Sequence, residues 1–530
     1  MNAGFRARLS RIARVVDASR RRPALPATLG FIGSVLILFG SFGVGWLGRD
    51  SKFRSWALFA TLRDDPAIQN VCAVLVVLGG ATLVVAWLLL GAIVRGCPRG
   101  VRTVDRVSLL WALPLIFTVP LFSRDVFAYV GQGRLRLNGF SPYTDAIAAV
   151  SGWYNLGVDR MWSNTPAPYG PIFVWIEELI VGLVGVESPE AAIALFRAIA
   201  VVSVVAIGYY SWRLARLRNI DEATVLWVAS ASPLVLFNFV VSAHNDALMV
   251  ALMLAGIYFA STRRHVIGVL LITASIAVKP AALVALPIIG LLWAGADTRW
   301  KTRAKYWAIS FCIALGILGA VGFAMDVRFD WILALTTPGA VLHWFAPAGS
   351  VASTSGAIAS SLGWDAGLII GLVKTVFLAT AVGIIAYLMT TRKPIQPLAR
   401  LTLAFATLIL CSTTIYPWYA FWVLALWAIL GIRRGLQTRI AAIVTICFAF
   451  GSLIEIGNLP VPIPGATSVD FARFTGSAIA ALLGTAILVI YTGRWLKPAP
   501  RSASTSSCLS SGRDATPSAD LRDEAASRAE

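Results

Sequence analysis

Three polar clusters interrupt an otherwise apolar sequence, and their residue types suit group transfer. Arg124 and Asp125 stand side by side in Ser123-Arg-Asp-Val-Phe-Ala-Tyr129, where an apolar run ends. His244, Asn245 and Asp246 sit together between two apolar runs, and Lys279 follows another in Ala277-Val-Lys-Pro280. A carboxylate so placed can take the proton of an attacking hydroxyl as the new bond forms. Cations fixed beside it can stabilise a leaving phosphate that gains negative charge. Asp125 is therefore the expected base, and Lys279, Arg124 and His244 are the expected phosphate contacts. Aromatic and amide groups that could hold a polar substrate accompany them: Tyr169 in Pro166-Ala-Pro-Tyr-Gly-Pro171, Tyr416 and Trp418 in Tyr416-Pro-Trp-Tyr419, His343 beside Trp344, and Asn245 with Asp246. No DxD-like metal motif stands in these segments, so cationic side chains rather than a metal are expected to meet the phosphate, and no cofactor is implied. Asp64-Asp65 lacks neighbouring ligands and reads as a solvated pair.

Each of these residues also has a structural reading. Arg124 with Asp125 can close a helix as a surface pair, and Asn245-Asp246 can cap one by binding free backbone N–H groups. Tyr416, Trp418 and Trp344 can anchor helix ends at a membrane surface. A lysine near a helix end can snorkel, which suits Lys374 and is the alternative for Lys279. The chemical reading gains weight only if the elements carrying these residues bring them to one side of the molecule.

Those elements are membrane helices. The 530 residues are 58% hydrophobic and only 13% charged, with a mean hydropathy of +0.77, too apolar for a soluble chain. Many windows reach bilayer length, and no run of short alternating segments suggests a barrel. The net charge of +19 comes from basic residues scattered through short loops, as in cytoplasmic loops of membrane proteins, and does not suggest nucleic acid. The six cysteines form no Cys-x-x-Cys pair and no zinc or disulfide framework. Arginine counting places the basic segment 1–28 in the cytoplasm, with a membrane domain over 29–497 and a polar, disordered cytoplasmic tail over 498–530. Spans are expected at about 29–47, 71–95, 107–122, 191–212, 221–242, 246–260, 265–278, 281–295, 306–325, 367–390, 399–413, 419–432, 440–457 and 474–493. The stretch 170–186 decides the parity. It carries Glu177 and Glu178, which are costly in hydrocarbon, and reads as a helix lying along the outer interface. The expectation is an all-α polytopic protein of about 14 spanning helices, with an outer loop over about 123–190 and a second over about 326–366. Under that parity Asp125, the His244 cluster, Lys279, His343 and Tyr416 all fall on the outer face.

A site of this kind suits a sugar carried on a polyprenyl phosphate, because its lipid tail can lie in an apolar groove between helices. The layout resembles the C-type superfamily of integral-membrane glycosyltransferases (GT-C). More closely, five segments resemble the polyprenol-phosphate-mannose-dependent α-1,6-mannosyltransferases of actinobacterial lipomannan synthesis: Ser123–Tyr129, Pro166–Trp175, His244-Asn-Asp-Ala-Leu-Met249, Val278-Lys-Pro280 and Tyr416–Tyr419. They occur in the expected order from about residue 105 to 430. The resemblance implies an inverting transfer of mannose from polyprenyl-phosphomannose to a mannan glycolipid of the lipomannan or lipoarabinomannan core, at the outer face of the cell membrane, with Asp125 as general base. The first segment departs from the expected pattern, reading Phe-Ala-Tyr where Tyr-Ser-Tyr is usual. Two other readings remain: a transferase of the same architecture moving another lipid-linked sugar, such as glucose or arabinose, and a lipid-linked sugar flippase or transporter. A transporter should show polar groups near mid-membrane and often internal repeats. Here the polar groups gather at helix ends, which favours surface chemistry.

Overall fold

The computed structural model describes residues 23–95, 99–295, 299–335, 341–454 and 468–493. The basic segment up to residue 22, the tail from residue 494, Cys97 and Cys508 lie outside them. The described residues are helices and connections, without a strand among them.

Eight helical stretches are long and apolar enough to cross a membrane. They are α1 (Ala24–Val44), α2 (Pro66–Val94), α6 (Pro189–Leu217), the stretch Glu222–Val241 that begins with α7 (Glu222–Ala229), α11 (Trp300–Ala324), α13 (Ala366–Thr390), α16 (Leu436–Ile454) and, over Thr475–Thr492, α17 (Ser468–Gly493). The chain is a multi-pass membrane protein. Five shorter apolar helices accompany them: α8 (Asp246–Ser261), α9 (His265–Val278), the stretch Pro280–Ala294 ending in α10 (Leu286–Ala294), α14 (Pro397–Leu410) and α15 (Tyr419–Gly431). Further helices include α3 (Gly100–Leu115), α4 (Asp125–Leu137) and α5 (Pro171–Val184), which precede α6, and α12 (Pro347–Ser361), which precedes α13.

The expected span over 107–122 is displaced. Helix α3 starts seven residues earlier, contains Pro114 and stops after Leu115, beyond which the chain turns through Ile116–Phe122. The expected span over 281–295 opens as a 3-10 turn over Pro280–Ala285 before α10 begins. Helix α5 has 14 residues and is roughly 21 Å long at 1.5 Å per residue, short of a ~30 Å hydrocarbon core.

Close packing of small residues joins α1 to α2. A Cβ on Gly33 would sit 2.6 Å from the Gly79 carbonyl, and one on Gly79 would sit 2.5 Å from the Gly33 carbonyl, so both positions need glycine. Helix α2 is joined to α7 by two stacked indoles. The Trp87 and Trp227 rings lie 4.3 Å apart, and each Nε1 donates to the other residue's carbonyl at 2.9 and 2.8 Å. Arg197 of α6 is buried and donates to the carbonyls of Ile116, Thr118 and Val241. One side chain thus ties the turn after α3 to the end of the Glu222–Val241 stretch, and these two places lead into the site.

Candidate active site

Both chain segments that enter the site do so through unusual backbone. Phe122 has φ +60°, two residues before Arg124, and Ala243 has φ +55°, immediately before His244. Left-handed backbone at non-glycine residues is costly and persists where the surroundings enforce it. Residues Leu236–Val241 form a π-helical turn, a feature that recurs at functional sites. The Ser242 hydroxyl locks the two segments together by donating to the carbonyls of Leu121, at 2.6 Å, and Phe237, at 3.0 Å.

Asp125 is thereby set at the first turn of α4. Its neighbour across the gap is His244, whose Nδ1 lies 3.3 Å from the Asp125 carboxylate. The His244 ring is fully buried, and neither nitrogen makes a well-oriented hydrogen bond. One turn further along α4, the Tyr129 hydroxyl accepts from the Asn245 backbone N–H at 3.2 Å. Burial opposes ionisation of Asp125, but the nearby His244 imidazole, the charge of Lys279 and the Ser123 hydroxyl together outweigh it. They hold the carboxyl below the usual aspartate range. Its side chain is 14% exposed, toward a cavity of about 430 Å³.

Asp246 has the opposite surroundings. It is fully buried and accepts from Lys279 Nζ with both oxygens, at 2.9 and 2.7 Å, and from Trp422 Nε1 at 2.9 Å. The Lys279 ammonium also lies over the Tyr419 and Trp422 rings at 5.3 and 5.5 Å. A buried pair of this kind is costly to break from one side, about 3–5 kcal/mol, so it fixes α8 against the turn after α9. The two carboxylates differ accordingly: Asp246 is committed to structure, and Asp125 is presented to the cavity.

Five of the residues singled out in the sequence line that cavity: Asp125, Tyr169, Lys279, Tyr416 and Trp418. His244 stands behind the wall, stacked on Trp418 at 3.7 Å, and Trp418 is stacked on Tyr416 at 4.6 Å. His343 meets Tyr416 edge-on at 4.7 Å, and burial lowers its pKa against the opposing bond to the Ile415 carbonyl. Asn245 is buried, with no hydrogen bond to its side-chain amide. Arg124 is not among the lining residues. It donates to the carbonyls of Gly157 and Val158, pairs with Asp159 at 3.6 Å and covers the Trp46 ring at 4.8 Å, so it organises the long loop. The structure adds lining residues that the sequence does not assign to the site, notably Gln132, Thr165, Trp422 and Lys374, which the sequence reads as a snorkelling lysine. Gln132 follows Asp125 by two turns on α4, and its amide nitrogen, oriented as its surroundings demand, donates to both Glu177 oxygens at 3.0 and 3.1 Å. Burial pushes the Glu177 carboxyl well above the usual range.

Comparison with known proteins decides what class of catalyst this geometry serves. Residues 27–295, which include Asp125, His244 and Lys279, match the family described as "Alpha-(1->6)-mannopyranosyltransferase, N-terminal domain". The chain belongs to that α-(1→6)-mannopyranosyltransferase family. It is 29% identical over 528 residues to a probable α-(1→6)-mannopyranosyltransferase of Mycolicibacterium smegmatis, covering 91% of this chain and 90% of that one. It is 31% identical over 330 residues to α-(1→6)-mannopyranosyltransferase A of Mycobacterium tuberculosis, covering 60% and 63% of the two chains. With α-(1→6)-mannopyranosyltransferase B of Corynebacterium glutamicum it shares 24% over 508 residues, 88% and 82% of the two chains. No solved structure matches significantly. The protein is a membrane glycosyltransferase, and mannosyl transfer is the activity its family carries.

Proposed function

We propose that this mannosyltransferase moves mannose from polyprenyl-phosphomannose to a mannan glycolipid acceptor with inversion, at the outer face of the cell membrane, with Asp125 as general base. The observation that carries the reading is the placement of Asp125: a carboxylate held ionised by His244 and Lys279 and presented to a cavity with aromatic walls. An ionised carboxylate can accept the hydroxyl proton as the new bond forms.

In the proposed step the acceptor hydroxyl oxygen forms a bond to mannose C1 while the bond from C1 to the phosphate oxygen breaks. The electron pair of the breaking bond leaves with the polyprenyl phosphate, and the hydroxyl proton passes to Asp125. Attack opposite the departing phosphate converts a β-linked donor into an α-linked product. Tyr416 and Tyr169 line the cavity and offer aromatic surface to a sugar ring, with Tyr416 backed by the stack of Trp418 on His244.

The test is transfer in membranes from radiolabelled polyprenyl-phosphomannose to a short α-1,6-mannoside, comparing wild type with Asp125→Asn at matched abundance. The substitution preserves shape and removes the base, so the rate should fall about 10²–10⁴-fold. Full activity in Asp125→Asn would remove the proposed base while leaving the transferase. Absence of transfer by the wild type would remove the donor.

A further inference from the structure

The cavity extends beyond the reacting centre along α13. Lys374, Leu378 and Ala381 all line it, and their spacing of i, i+4 and i+7 makes one stripe down that helix. Leu408 and Ile409 of α14 line it as well. Leu378 is 63% exposed, so the cavity is not closed off along α13, which the apolar length of the helix marks as lipid-facing. Lys374 stands eight residues into the helix, about 12 Å from its first residue. A lysine at that depth is expensive in hydrocarbon and marks a functional position when it faces a cavity.

Two lysines line the cavity, Lys279 at the turn after α9 and Lys374 on α13. Lys374 stands where the cavity meets the apolar stripe, the place a lipid phosphate must occupy if the sugar is at Asp125 and the tail is among the helices. We propose that Lys374 binds the phosphate of the lipid-linked donor and of the polyprenyl phosphate product, with the polyisoprenoid chain lying along Leu378 and Ala381. This assignment rests on the lipid-phosphate donor reading above.

Charge gives the assignment a distinctive consequence. The donor phosphate is a diester with one negative charge, whereas the departing polyprenyl phosphate is a monoester that carries more. A fixed cation therefore gains strength as the bond breaks, which is the kind of interaction that raises the rate. Lys374 should contribute to donor KM, contribute more to kcat, and contribute most to inhibition by the product.

The experiment measures donor KM, kcat and inhibition by added polyprenyl phosphate for wild type, Lys374→Gln, Lys374→Met and Lys374→Arg in membranes. Removing a lysine from a membrane helix eases insertion, so the methionine variant guards against loss of folded protein. Losing a charge-assisted hydrogen bond should weaken product inhibition about ten- to a hundredfold in the glutamine and methionine variants, with a smaller rise in donor KM and a lower kcat, while arginine preserves most of each. If the wild type transfers mannose and both neutral variants keep its donor KM and product inhibition, the assignment is wrong, and Lys374 serves a bilayer headgroup or the fold. Failure of the wild type to use this donor would instead overturn the donor reading itself.

Discussion

At the scale of single residues, the site turns on how differently two aspartates are held. Asp246 is enclosed by Lys279 and Trp422, whereas Asp125 has a histidine at 3.3 Å and an open face. His244 is the most informative residue to change, because it bears directly on the proposed base, Asp125. Burial pushes the Asp125 pKa up, and His244, Lys279 and Ser123 more than reverse that. A base works while it is deprotonated, so kcat/KM should stay level toward acid pH and fall only as pH drops through the lowered pKa. In His244→Gln the charge is lost and burial weighs more, so the Asp125 pKa rises and the acid limb of kcat/KM moves to higher pH. The variant should lose more activity in mildly acidic buffer than near neutrality. A pH profile of transfer in membranes decides the matter: a uniformly lower rate with an unmoved limb would mean that His244 acts only by packing on Trp418.

At the scale of elements, the site depends on two connections held against the helices. The segment ending at Gly170 is docked on the turn after α9, with Gly170 N–H donating to the Val278 carbonyl at 3.0 Å. A Cβ at Gly170 would lie 2.4 Å from the Ala277 carbonyl oxygen and 2.5 Å from its carbon, which are backbone atoms that cannot swing aside. Gly170→Ala should therefore push Tyr169 away from Lys279 and cost transfer about 10²-fold, the usual effect of a 1 Å misplacement, while the protein still accumulates. Gly182→Ala on α5, where the nearest atom is a leucine methyl at 3.6 Å, should leave transfer unchanged and serves as the control in the same assay. The sequence makes these connections only partly legible. Asp125, His244 and Lys279 stand out because charge is conspicuous in apolar surroundings, and the Pro166–Pro171 stretch because its prolines and aromatics break the hydrophobic pattern. The pairing of Lys279 with Asp246 is not legible, since 33 residues separate them and either could have faced the cavity. Arg124 has a type that suits a phosphate, and its contacts with Gly157, Val158 and Asp159 are not legible from the sequence. Lys374 reads as a snorkelling lysine because hydropathy records depth along a helix but not the face that looks into a cavity.

At the scale of the whole molecule, the helical membrane architecture is legible because apolar length alone reveals it, whereas which side of the bilayer carries the site rests on one short helix. Helix α5 is the element that would invert everything after it if it crossed. Its length falls short of a span, and its acidic residues are answered by α4: Glu177 by the Gln132 amide, and Glu178 by Arg136 at 3.2 Å. Gly133 of α4 has the Glu177 carbonyl 2.5 Å from where a Cβ would be, so the two helices are in contact along their backbones. A helix that meets its partner this way, through groups that hydrocarbon would penalise, supports the proposal that α5 lies with α4 at the membrane surface. With the native cysteines replaced, Glu187→Cys, which is exposed just after α5, should react with a membrane-impermeant maleimide in intact cells. Arg392→Cys, exposed at the other end of α13 from Asp365, should react only after permeabilisation. The reverse pattern would put His244, Lys279 and α13's outer-assigned end in the cytoplasm, and with them the site they share with Asp125. The donor would then have to be presented on the inner leaflet, and the outer-face assignment of the transfer would fall while the geometry of the site stood.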